Sequence, residues 1–168
     1  MANVTFAATT QSRGYSQAFP LLLLPILLYG IVYLICWGIY GSGFFTNEYQ
    51  LPGSGNVLRG MDWFLETQGF TIPMFSGDAW FVNIGDMFLF VSIVLLFVEI
   101  VKAGNISPTT LINHALSMLV FVIGLVLFIT TIGFSNSVFG LILMMLLVDV
   151  IAGNVITNMA ARRDLAIG

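Results

Sequence analysis

The chain has 168 residues, of which 58% are hydrophobic and 8% charged, with a formal net charge of −3. Soluble domains carry roughly 25% charged residues, so a surface this poor in charge cannot be coated with water, and lipid is the expected solvent. Only five Lys and Arg residues are present and no basic stripe is formed, which excludes nucleic acid as a partner. The single cysteine, Cys36, excludes an intrachain disulfide, and no Cys/His cluster offers a structural metal site.

Residues 19–40, "FPLLLLPILLYGIVYLICWGIY", form the first predicted membrane span. The run is longer than the 7–15-residue apolar core of a signal peptide, so it reads as a retained helix. Pro20 suits a helix start, whereas Pro25 is expected to remove an internal hydrogen bond and kink the entry. Trp37 and Tyr40 fit an interfacial aromatic belt.

Residues 41–79 form a long external loop. "LPGSGN" is turn chemistry. "VLRGMDWFLETQGF" mixes apolar and charged residues and suits either a short helix lying in the membrane surface or an irregular loop folded on the bundle. "FTIPMFSGDAW" adds aromatic anchors.

The second span is predicted over 80–101, ended by Lys102 and Ala103–Gly104. The third covers 108–132, with Ser107 as a cap and Pro108 at the first helical position. "GFSNS" is a tight turn, and the fourth span covers 136–159. The predicted fold is therefore an all-α, four-transmembrane-helix bundle forming one domain. Arg13, Lys102, Arg162 and Arg163 collect at one end, against Arg59 among four acids at the other. The positive-inside rule then places both termini in the cytoplasm.

Each polar residue within a span needs an account, because charge at a helix centre costs at least ~2.5–3.5 kcal/mol. Glu99 stands three residues from Lys102 and reads as the rim of span two, pairing at i,i+3 or snorkelling. His114, about 10 Å deep, shares a face with Ser117 and Phe121. The bland expectation is a neutral imidazole bonded to a neighbouring helix, with Asn154 at matching depth. The sharper ones are a proton relay or axial ligation of a haem or pigment. Asp149 lies about 20 Å from Arg162 and cannot easily snorkel. Tyr29 and Tyr33 could donate to it. It could also be protonated, lie on a proton or ion pathway, or meet a partner subunit. Asp86 is expected to contact the outer loop or to cap a helix that begins later than residue 80. Gly124, Gly140, Ala152 and Gly153 permit close helix approach, with Gly153 on a packing face beside Asp149.

The segments "LFVEIVKA", "NHALSMLVF" and "LLVDVIAGNVITNMAARRD" resemble small four-span membrane proteins of alphaproteobacteria. The resemblance covers less than half the chain and implies a bacterial inner membrane, but no activity and no functional residue. No Walker loop, HExxH, GxSxG with partners or CxxCH occurs. The leading expectation is a non-enzymatic scaffold or accessory subunit in the lipid bilayer, assembling with itself or with a larger complex. The alternatives are a proton- or ion-conducting oligomer using Asp149, His114 and Asn154, and a pigment- or haem-associated subunit with His114 as ligand.

Overall fold

The computed structural model describes residues 19–53, 55–103 and 108–167, apart from the side chains of 108–111, 157–158 and 160–167. Ser107, Arg13 and the side chains of Arg162 and Arg163 lie outside the described residues. Four helices are long and apolar enough to cross a membrane: α1 (Leu23–Tyr40), α3 (Ile84–Ala103), α4 (Pro108–Thr130) and α5 (Ser137–Ile167). A fifth, α2 (Gly60–Glu66), is short.

Helix α1 begins later than hydropathy suggests, because Pro20 to Leu22 form a turn in which Leu23 N donates to Pro20 O. Pro25 therefore falls in the first helical turn, where backbone N–H groups have no intrahelical acceptor. Its missing donor costs nothing there, and the expected kink has no cause. Gly41, at φ 75°, ends the helix as its N–H donates to Trp37 O.

The long connection departs from the all-α expectation. After a 3-10 turn at Ser42–Phe45 come two antiparallel hairpins that flank α2. The first pairs β1 (Glu48–Gln50) with β2 (Val57–Arg59), and the second pairs β3 (Gln68–Pro73) with β4 (Ala79–Asn83). Gly53, Gly55 and Gly77, all at positive φ, turn these two hairpins. An aromatic pack binds the first hairpin to α1. Tyr33 stacks on Phe45, Phe44 meets Tyr49, and Tyr49 meets Trp63, with centroids 4.4 to 5.5 Å apart. Trp63 Nε1 also donates to Gln50 O.

Residues 80–83, expected within span two, are strand, and α3 starts at Ile84. Asp86 is the cap: its Oδ2 accepts from Asn83 N at 3.0 Å. Asp86 thus reaches back from inside the first turn, whereas Asn136 caps α5 from the position before it, its Oδ1 accepting from Phe139 N.

Helix α5 packs along both α3 and α4, while α1 leans on all three more lightly. At the hairpin end the core is aromatic. Tyr29 stands against Phe88, Phe134 and Phe139 with centroids 4.9 to 5.8 Å apart. An open apolar groove of about 550 Å³ runs between α1 and α4, past Ile26, Gly30, Val120, Ile123 and Leu127.

Candidate functional site: a buried polar seam

Six polar residues are buried among the described residues: Ser92 and Glu99 on α3, Asn113, His114 and Ser117 on α4, and Asp149 on α5. All lie on the three helices that pack most closely. They form a seam running inward from the Lys102 end.

Glu99 anchors the seam, and it is not the exposed rim residue that the sequence suggested. It is wholly buried. Its Oε2 accepts from Leu21 N at 3.0 Å, and its Oε1 accepts from Lys102 Nζ at 3.3 Å and from Asn113 Nδ2. The expected i,i+3 pair with Lys102 is thus present. Lys102 also donates to Phe19 O at 2.8 Å. One ion pair therefore holds the start of α1, the end of α3 and the beginning of α4 together. Burial without snorkelling is tolerable because every donor around the carboxylate is used.

Asn113 was missed at the sequence level, where attention fell on its neighbour His114. The signal was available. Glu99 and Asn113 lie equally far from residue 106, the middle of the short connection between α3 and α4, and such positions face one another in an antiparallel helix pair.

His114 lays its ring against Gly153 of α5. A Cβ built on Gly153 would stand 2.2 Å from His114 Nδ1, so only glycine admits the ring. Gly153 thus serves as the predicted packing residue, with the imidazole as what it admits. Gly124 faces Leu143 and Gly140 faces Phe128 along the same antiparallel seam. Asn154 points outward as an exposed residue and does not join His114.

Asp149 is 1% exposed, as its depth in the span implied. Its expected tyrosine partners are engaged elsewhere. Tyr29 Oη donates to Gly133 O at 2.7 Å and accepts from Asn136 Nδ2, and Tyr33 stacks with Phe45 and Phe134. Both rings thus serve the turn between α4 and α5 rather than the seam. Asp149 instead lies beside the Ser117 hydroxyl, near it but short of hydrogen-bond geometry, and within electrostatic reach of His114. No hydrogen bond is completed by either Asp149 oxygen, by Ser117 Oγ, by either His114 ring nitrogen or by Asn113 Oδ1. Ser92 is satisfied locally, its hydroxyl donating to Phe88 O.

No family model, curated protein or solved structure matches the chain. The seam must therefore be read from its own chemistry. It holds one complete ion pair and, deeper, a carboxylate, a hydroxyl, an imidazole and an amide oxygen without partners. Beyond Asp149, Leu146, Ile142 and Phe139 continue inward as wholly apolar buried residues. The polar path therefore stops short of the hairpin end. Among the described residues no group of three or more His, Cys, Asp or Glu could hold a metal ion.

Proposed function

We propose that this protein is a non-enzymatic integral membrane subunit of a bacterial inner membrane, with the Lys102 end and both termini cytoplasmic, and that it assembles with copies of itself or with a larger membrane complex. The observation that carries this reading is the β3–β4 hairpin. It exposes Phe70, Met74, Phe75, Trp80 and Phe81, with Phe75 wholly exposed at its tip. Large contiguous apolar patches outside a span mark protein or membrane contacts, and the edges of a two-stranded hairpin are open for pairing. Trp80 packs on Phe90 of α3 at 5.8 Å, and a Cβ on Gly69 would touch Met87. The hairpin thus lies beside the first turns of α3, where a neighbouring bundle would meet it. The bias of Lys102, Arg162 and Arg163 against Glu48, Asp62, Glu66 and Asp78 supports the orientation.

The test is gentle extraction from the native host, followed by native mass spectrometry of the wild type and of a Phe75→Ser, Phe81→Ser variant. The wild type is expected as a defined assembly, and the variant as a smaller one. A wild type that is monomeric and alone at every concentration would overturn the reading.

The proton- or ion-conducting alternative draws on the buried seam. A single bundle, however, closes that route with Tyr29, Phe88, Phe134 and Phe139.

A further inference from the structure

We propose that the inner end of the seam is a blind binding site for one monovalent cation, a proton or an alkali ion, held at Asp149 and entered only from the Lys102 end. The inference goes beyond the assembly reading and does not depend on it.

The first argument is charge. Among the described residues the only ion pair is Lys102 with Glu99. Those two cancel, leaving the Asp149 carboxylate as the uncompensated group of the seam. A bare charge in a low-dielectric interior is strongly disfavoured, so one positive charge must accompany it. His114 is close enough to act on it electrostatically but does not approach within ion-pair distance.

The second argument is the type of atom left over. Buried polar atoms almost always find partners, and a group of them without any points to a bound species. Asp149 Oδ1 and Oδ2, Asn113 Oδ1 and Ser117 Oγ are all able to accept. Asn113 and Ser117 stand four residues apart on one face of α4, turned to the interior, and Ser117 acts on the Asp149 carboxylate. Both His114 ring nitrogens are likewise without a hydrogen bond, but the charge at the site is the Asp149 carboxylate, so the set suits a small desolvated cation or a carboxyl proton with an attendant water.

The third argument is access. Lys102 is part-exposed at the mouth, and Glu99 and Asn113 lead inward from it. The charged and titratable groups facing the site are Glu99 and Lys102 from α3, His114 from α4 and Asp149 itself from α5. The turn before α1 supplies the Leu21 N–H to Glu99, and α1 itself, towards the hairpin end, the Tyr29 hydroxyl. Past Asp149 the buried residues are apolar except Ser92, whose hydroxyl is taken up by Phe88 O. A cation that enters must leave by the same way.

The test uses the full chain in nanodiscs, in an Asp62→Asn background that removes a separate titrating acid. Thermal unfolding is followed across a pH series in choline chloride, and at fixed pH as NaCl replaces choline chloride at constant ionic strength. Binding to the folded state alone raises Tm, by at least about 3 °C at saturation. A rise as pH falls identifies the proton, and a rise with sodium identifies the alkali ion. Adding Asp149→Asn should abolish whichever response occurs, and Glu99→Gln should retain it. If the aspartate variant does not fold, Ser117→Ala, which keeps the carboxylate, should move the midpoint of the response. A flat Tm in both series, or a response unchanged by the Asp149 and Ser117 substitutions, overturns the proposal. So does a proton or sodium gradient that collapses across liposomes containing the wild type but not the Asp149 variant, because a blind site carries nothing across.

Discussion

Replacing Glu99 with alanine would leave the Leu21 N–H, the Asn113 amide and the Lys102 ammonium without their acceptor at once. Breaking one side of a buried ion pair costs about 3–5 kcal/mol. We expect a loss of that order, measured by reversible unfolding in mixed micelles, with Glu99→Gln milder because the amide oxygen still accepts. A loss under about 1 kcal/mol would mean that the start of α1 is held by apolar contact alone. At this scale the sequence was half legible. The depth of Asp149 and the short spacing of Glu99 to Lys102 were readable because each depends on one helix. The partners of Asp149 and the full burial of Glu99 were not, because they depend on which face of a second helix arrives opposite. Tyr29 stood at a suitable estimated depth, yet its hydroxyl is aimed at Gly133, a direction that depth alone does not contain.

The elements of the long connection depend on close backbone approach. A Cβ on Gly60 would meet Phe44 O at 2.1 Å and the Phe44 ring at 2.9 Å. Backbone cannot move aside as a flexible side-chain end can, so Gly60→Ala should dislodge α2 from the 3-10 turn. The expected cost is about 1–3 kcal/mol, with Trp63 fluorescence shifting as its contacts with Phe44 and Tyr49 loosen. An unchanged spectrum and unchanged stability would contradict this packing. The hairpins were missed in the sequence for a physical reason. Strands usually announce themselves by alternation of apolar and polar residues, but β4 is Ala-Trp-Phe-Val-Asn, apolar on both faces. Hydropathy joined it to α3 and set the span start at residue 80. The four long apolar helices were readable because a membrane crossing calls for about 20 apolar residues in a row, and few other structures leave such a mark.

For the whole molecule, the pH response has a contribution outside the spans. Burial raises the Asp62 carboxyl above its ordinary value of 3.8, with Arg59 partly opposing the shift. A raised acid holds its proton more tightly in the folded state than in the unfolded one. Folding stability contributed by Asp62 is therefore present at low pH, and declines as pH climbs from 3.8 through the raised folded value. Asp62→Asn should flatten that decline in a series of thermal melts. A slope that persists unchanged would assign it to another group.

The clamp at the start of α1 has a consequence for the order in which the protein is made. Leu21 lies 78 residues before Glu99, and Phe19 lies 83 before Lys102. When α1 leaves the ribosome, the groups that will seize its first turn have not been synthesised, and Asn113 comes later still. In a membrane-inserted chain, α1 would therefore wait in the translocon or in lipid without this clamp until α3 and α4 emerge. During that interval it would be open to insertion chaperones and membrane proteases. Closing of the Glu99 clamp would then be the step that withdraws the first turn from them.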